Sequence, residues 1–451
     1  MEEKIFKAGF GRVNITPSYG TPIIGYYIER KVEGILDELE ATAVAVSCGE
    51  DKAVLVSVDI CELDGEDTAR IREAVCKATG ISEECIFIHA THTHTGPGAS
   101  LTYGKADELL QEYMRGLIRK ITDAALLALA DLKPARLGYG VSEAKRVAFI
   151  RRFRMKDGSV MTNPGVNNPD IKEPLEKVNE AVNVLRIDRE GAESIVVVNF
   201  GNHPDTVGGS KISADWPGFT RRFVEKAIDN TKCIFFNGFQ GDVNHVNVHP
   251  RGGDFNDMFH DFDGCSRGYG HARHIGRAVA GAVMQIYDKV HYVEVEGIKC
   301  AQKEIKVPSN KATEQELEMA RKYYELHTSG KDEEIPFKAM ELTTVVAEAK
   351  RMLWLENGPQ EFPIQVSALS FGKVAMLGVS GEPFTGIGRE LQNAEGWDLV
   401  MPCCLMNGSD GYIPTRLAYD EGGYEARSSK FKADVSEKLV QSALETLSEL
   451  K

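Results

Sequence analysis

The run His89-Ala90-Thr91-His92-Thr93-His94-Thr95-Gly96-Pro97-Gly98 follows directly on an apolar segment that reads as a strand. Successive side chains of an extended segment alternate, so His92 and His94 are expected on one side and His89 on the other. Two imidazoles on one side suit a metal. Zinc accepts neutral imidazole nitrogens at about 2.0–2.1 Å, and a catalytic site keeps one coordination position open beside its protein ligands. The Gly96-Pro97-Gly98 turn lets the backbone pass close to a ligand, which makes Gly96 a candidate substrate contact.

A further candidate ligand is His203 in Gly201-Asn202-His203-Pro204-Asp205, again at the end of an apolar run. Glu382, in Gly381-Glu382-Pro383-Phe384-Thr385, supplies a hard oxygen after another such run. The H-x-H-x-D-H pattern of metallo-β-lactamases is absent, because Thr95 and Gly96 follow His94. Barrel amidohydrolases carry their H-x-H on the first strand, much earlier in the chain than His92.

The elements that must position these residues follow from hydrophobic periodicity. Lys52 to Asp59 reads as a buried strand, Asp67 to Thr79 as a helix and Glu84 to Ala90 as a second strand. That succession is a βαβ unit, so at least part of the sheet is expected to be parallel. Asp107 to Leu132 is a long helical pattern stopped at Lys133-Pro134. Glu193 to Gly201 and Thr231 to Asn237 are strands that end in Asn202-His203-Pro204 and Gly238-Phe239-Gln240-Gly241-Asp242. Three strands therefore deliver polar or Gly-rich turns at their C-terminal ends, where open α/β sheets bind ligands. From about 310 to 358 the composition shifts to two helices broken at Ser329-Gly330-Lys331-Asp332. Strands at Phe362 to Ser370 and Lys373 to Val379 and a closing helix from Ala433 to Leu450 complete the pattern. The fold expected is α/β: a mixed, partly parallel sheet core with flanking helices and a helical insertion.

A net charge of -14 over 451 residues argues against a nucleic-acid partner, since phosphate binding needs clustered Lys and Arg. No stretch of about 18 apolar residues occurs and the N-terminus carries no basic and apolar leader, so the chain is expected to be cytoplasmic without integral membrane contact. The nine cysteines lack C-x-x-C spacing and are read as core thiols rather than a disulfide framework.

Four blocks in order, Gly9-Phe10-Gly11-Arg12-Val13-Asn14-Ile15-Thr16-Pro17, His92 to Gly98, Gln240-Gly241-Asp242-Val243-Asn244 and Gly381 to Thr385, resemble the catalytic domain of the neutral (alkaline, non-lysosomal) ceramidases. The resemblance implies Zn2+ bound by His92, His203 and Glu382, with Tyr412 of Gly411-Tyr412-Ile413-Pro414 as a further ligand. It makes His94 the acid/base, and Arg151 or its neighbour Arg152 the arginine that shapes the substrate site. Tyr424, Gly96 and Asp242 are expected on the substrate side, with Tyr419 a candidate pocket residue. The implied reaction is amide hydrolysis, with ester or lactone cleavage on the same site, or a non-catalytic metal-binding relative, as the alternatives.

The sequence departs from the family in three respects, the first being that members which meet membrane lipid are typically secreted or membrane-associated, whereas no leader is read here. Longer ceramidases add a C-terminal immunoglobulin-like domain for which little chain follows Tyr412, so a single catalytic domain over 1–451 is expected. The family's usual G-D-V-S-P-N reads Gly241-Asp242-Val243-Asn244-His245-Val246-Asn247. The loop change falls near the expected site, and because the parts that would bring the enzyme to a bilayer are those not read here, a small-molecule N-acyl or ester substrate smaller than ceramide is expected. His249, His260, His271 and His274 serve either a polar substrate or a solvated loop.

Overall fold

Phe6–Asn14 (β1), with Phe6, Ala8, Gly9 and Gly11 buried, and the near-continuously buried Glu40–Cys48 (β2) and Asp51–Val58 (β3) are strands of one sheet. The computed structural model describes residues 4–97, 107–251 and 268–451. The sheet also takes Ile86–Ala90 (β4), Lys133–Glu143 (β5), Ala181–Arg189 (β6), Ser194–Phe200 (β7) and Thr231–Asn237 (β8). From edge to edge its order is β8-β7-β6-β5-β1-β2-β3-β4, with His291–Val293 (β9) paired to β5 off that path. The expectation of a partly parallel sheet holds in a specific way. Only the two edge pairs, β3 with β4 and β7 with β8, are parallel, and the interior is antiparallel.

The two parallel pairs carry the crossover helices. Gly65–Thr79 (α1) joins β3 to β4, and Asp215–Ala227 (α3) joins β7 to β8. The side chain of Asp64 accepts the Asp67 N–H to start α1, and Gly80 at φ 73 ends it. Asp107 caps Glu108–Ala130 (α2) by accepting the Leu110 N–H. Tyr269–Tyr287 (α4) packs on α3 and on β5 and β6.

A second sheet, Ile298–Pro308 (β10), Glu361–Phe371 (β11), Val374–Val379 (β12) and Leu399–Cys403 (β13), lies against the first. One apolar cluster unites Phe6, Val44, Leu55, Phe87, Ile234 and Phe236 of the large sheet with Leu369, Met376 and Met401 of the small one. Helices cover the outer faces: α2 lies on β1 and β2, while Thr385–Gln392 (α7) and the closing helix Val435–Glu449 (here α10) cover the small sheet. Between them come the short helices Arg416–Glu421 (α8) and Tyr424–Ser428 (α9). The helical insertion is present as Glu314–Thr328 (α5) and Ala339–Glu356 (α6), opened by a Thr313/Glu316 capping box. It leans on α9, where Arg427 pairs with Glu341 and Glu348.

One cysteine expectation is corrected. Cys85, just before β4, and Cys300, in β10, are joined as a disulfide with Cα atoms 5.5 Å apart, tying the two sheets together. A pair 215 residues apart leaves no spacing signature in the sequence. Cys48, Cys61, Cys76, Cys233, Cys403 and Cys404 are free. Among the described residues no helix is long and apolar enough to cross a membrane.

The edges of the large sheet are pulled together by two buried side chains. His89 of β4 accepts the Asn237 N–H at Nε2 (3.0 Å), and its Nδ1 faces Ser57 Oγ at 3.1 Å. Ser57 in turn donates to the Phe235 carbonyl at 2.6 Å. The chain of bonds closes only with a neutral ring, its proton on Nδ1. A proton added at Nε2 would meet an amide donor.

A Cβ on Gly11 would stand 2.2 Å from the Ala124 carbonyl oxygen, and one on Gly9 2.0 Å from that of Ala128, so β1 and α2 pack backbone to backbone there. Gly11→Ala should lower the unfolding free energy by about 1–3 kcal/mol, the usual cost of overpacking, as measured by urea titration. Burial, with help from His92 and Arg221, lowers the His89 pKa from 6.5 to about 3. The unfolded chain therefore binds the extra proton between those values, and stability must fall as pH drops below 6.5. His89 alone should remove about 2 kcal/mol between pH 6.5 and pH 5. A His89→Gln variant is expected to show a shallower pH dependence whatever its absolute stability, and equal slopes would refute this account.

Candidate metal centre

Closure of the sheet edges brings the ends of β4, β7 and β8 to one place, and the second sheet adds the end of β12. His92 and His94 follow β4, His203 follows β7, Gln240 follows β8 and Glu382 follows β12. The stitch between the sheets is the segment Cys404 to Asn407. Cys404 N–H donates to Asn237 O, Leu405 N–H to Gly381 O and Asn407 N–H to Ile88 O.

His92 and His94 do converge, but not by strand alternation. Strand β4 ends at Ala90, and His92 lies in the left-handed region at φ 75. Its amide is tied to the Ile60 carbonyl, and the turn swings its ring onto the same side as that of His94. His94 Nε2 sits 3.2 Å and His203 Nε2 3.1 Å from His92 Nε2. Glu382 Oε2 stands 3.3 Å from His92 Nε2 and 3.5 Å from His203 Nε2. All four side chains are buried.

His92, His203 and Glu382 form a group whose ligand atoms could hold one metal ion, and Cys61, His92 and His94 form another that shares His92. The first group fits a tetrahedral ion closely. Bonds of about 2.0–2.1 Å at tetrahedral angles place ligand atoms about 3.3 Å apart, the spacing found here. The ring orientations agree. His92 Nδ1 faces the Cys61 carbonyl at 2.7 Å and His203 Nδ1 the Gln240 carbonyl at 3.4 Å, so both Nε2 lone pairs point inward. Gln240 Nε2 donates to Glu382 Oε2 at 3.3 Å.

The electrostatics ask for a cation in the same spot. Burial pushes His94 and His203 well below the ordinary imidazole value, so both stay neutral. Burial works against a charge on His92 too, but the Glu382 carboxylate and Cys61 raise it above that value. Burial also disfavours the charge of Glu382, yet His92 and Arg151 hold it low. A carboxylate among inward-facing imidazoles thus needs one positive charge, which a proton on His92 or a divalent ion can provide.

Tyr412 borders the group. The strand pair Glu382–Pro383 with Tyr412–Ile413 is parallel and sets Glu382 beside Tyr412. The Tyr412 ring lies 6.4 Å from that of His203 and 5.6 Å from that of Tyr424. Of the two neighbouring arginines, Arg151 faces this place, with its guanidinium 5.3 Å from the Tyr412 ring centre. It is held by Glu425 at 2.7 Å and by the Gly241 carbonyl at 2.6 Å. Arg152 turns to Glu421 and the Gly422 carbonyl.

The remaining expected residues are spread around the group. Tyr424 shares a hydroxyl contact of 2.8 Å with Tyr27, which comes from the other end of the chain. Asp242 lies behind Glu382, where its carboxylate accepts the Thr385 N–H at 2.7 Å to open α7. Gly96 packs on Ile60, and its carbonyl accepts the Ile24 N–H. Tyr419 turns away to donate to the Phe431 carbonyl at 2.8 Å. His249 and His274 are exposed, His271 is half-buried, and none belongs to a ligand group among the described residues. Gly98 and His260 lie outside those residues.

Three contributors went unread in the sequence. Cys61 and Gln240 orient the His92 and His203 rings through backbone carbonyls, which carry no residue-type signal, and Gln240, quoted in the sequence only as part of a motif, also donates its side chain to Glu382. Asp205 stands 3.7 Å from His94 Nδ1, and its one signal was its place in the His203-Pro204-Asp205 turn.

The fold and the sequence lead to the same relatives. The crystal structure of neutral ceramidase from Pseudomonas aeruginosa is similar over 100% of this chain and 75% of its own, with a TM-score of 0.74 at 18% identity. A ceramidase complexed with C2 is similar over 99% of this chain and 75% of its own, with a TM-score of 0.73 at 17% identity. No curated protein matches the sequence. The family described as neutral/alkaline non-lysosomal ceramidase, N-terminal, matches residues 6–267, and the chain belongs to that family.

Proposed function

We propose that this protein is a zinc-dependent hydrolase that cleaves an amide (N-acyl) bond in a soluble substrate smaller than ceramide. The observation that carries the reading is the spacing of the His92, His203 and Glu382 ligand atoms, 3.1 to 3.5 Å apart with both imidazole Nδ1 atoms facing carbonyls. Tyr412 is the fourth protein ligand in this proposal. When bound, zinc supplies Lewis acidity, activating water and polarising the scissile carbonyl.

The chain's own residues do the rest. His94 takes the proton of the attacking water at Nε2 and returns it to the leaving amine. Arg151, fixed by Glu425 and the Gly241 carbonyl, sets a permanent cation against the charge that develops on the carbonyl oxygen. Tyr424 touches the substrate. Gly96 and Asp242 shape the substrate side through the backbone they hold. Residues 1–451 act as one catalytic unit, a reading supported by Glu382 and Tyr412 lying beyond residue 267 while His92 and His203 lie before it. A cytoplasmic setting belongs to the proposal, supported by the six free thiols among the described residues.

The test is metal content and turnover in the untagged protein. About one zinc per chain is expected, falling to a trace in His92→Ala, His203→Ala and Glu382→Ala. His94→Ala should keep the metal and lose about 10²–10⁴-fold in kcat/KM on N-acyl substrates. Matched N-acyl and O-acyl pairs decide between amidase and esterase. Stoichiometric zinc in any of the three ligand variants would overturn that ligand.

A further inference from the structure

His94 is gripped from three sides by groups that have no role in holding a metal. The Cα of Gly25, at φ +106, passes over the imidazole so closely that a Cβ there would stand 2.7 Å from His94 Cγ. Arg30 donates to the His94 carbonyl at 2.9 Å and to the carbonyls of Ile24 and Gly209, each at 2.7 Å. The same guanidinium lies 4.1 Å over the ring of Tyr26. Tyr26 donates its hydroxyl to Asp205 Oδ1, the oxygen that faces His94 Nδ1 at 3.7 Å.

Asp205 is itself held from behind. The buried carboxylate of Asp215 accepts the N–H groups of Thr206 and Val207 at 2.9 and 2.8 Å, which fixes the turn that follows His203. His94 Nδ1 is buried and makes no hydrogen bond, so an acceptor half an ångström beyond bonding range faces a ring nitrogen that has none. Apo sites commonly hold such pairs slightly long.

We propose that Asp205, steadied by Tyr26, is a positioning residue for His94: its carboxylate accepts the Nδ1–H and so keeps the Nε2 lone pair directed at the metal group. The inference rests on the reading of His94 as the proton carrier. A histidine whose distal nitrogen has an acceptor keeps one tautomer and one ring orientation, while one without samples both tautomers and presents a proton where a lone pair is needed. Asparagine can replace the acceptor through its amide oxygen. Alanine cannot.

The experiment uses the zinc-loaded full chain, labelled with ¹⁵N-histidine, as wild type, Asp205→Ala, Asp205→Asn and, for assignment, His94→Ala. The wild type and Asp205→Asn are expected to carry the His94 proton on Nδ1, and Asp205→Ala to show a mixture of tautomers. On an N-acyl p-nitroanilide, Asp205→Ala should lose about 10²-fold in kcat with KM and zinc content unchanged, and Asp205→Asn should recover most of the loss. An unchanged His94 tautomer in Asp205→Ala, or equal loss in both variants, would overturn the proposal. If the wild type hydrolyses no acyl probe the hydrolase reading falls by itself, and the tautomer measurement still decides the role of Asp205.

Discussion

The site exists because the two edges of a nine-stranded sheet are fastened to each other. Ser57 and His89 bridge β3 and β4 to β8 through buried hydrogen bonds to Phe235 O and Asn237 N–H. Without that fastening the turns after β4 and β8 would belong to opposite ends of a wide sheet. With it, His92, His94, His203 and Gln240 share one rim. The nearby pair of Asp59 and Arg221, both buried and joined through two contacts at 2.9 and 2.5 Å, anchors the end of β3 to α3 and reinforces the same closure.

The second sheet brings charge to an otherwise neutral rim. Glu382 enters from β12, and Gly241 is glycine because a Cβ there would meet the Glu382 carbonyl oxygen at 2.4 Å. The carboxylate is matched by imidazoles on one side and by Arg151 on the other. Glu425, fully buried in α9, balances Arg151 in turn. The helical insertion thus has a mechanical part in the site. It supports α9, the element that carries both Tyr424 and Glu425, through Arg427 and the carbonyl contact of Arg351. The candidate metal group, the arginine and the tyrosine pair are therefore set by three separate packing surfaces that meet at one rim.

Local patterns were readable where short-range physics decides the outcome. Strands β3, β4, β7, β8, β11 and β12 and helices α1, α2, α5, α6 and α10 stand within a few residues of their apolar runs, caps and breakers. Strands β1, β2, β5 and β6 did not stand out. The alanines of β2 and the glycines and charged residues of β5 and β6 blur any period of two, and those strands are stable because each is flanked by two others. The arrangement into two facing sheets was equally unreadable, since strand order depends on long-range pairing.

By itself, the sequence determined the α/β class, the family and the identity of the residues at strand ends, because residue type, periodicity and motif order are local and survive without knowledge of contacts. Only the tertiary structure decided that His92 reaches its neighbours through a left-handed turn, that His89 fastens sheet edges, that Arg151 rather than Arg152 faces Tyr412 and that Asp205 stands behind His94. Each depends on where two chain segments, often more than a hundred residues apart, are carried by the closure of the sheet, and no spacing along the chain encodes that distance.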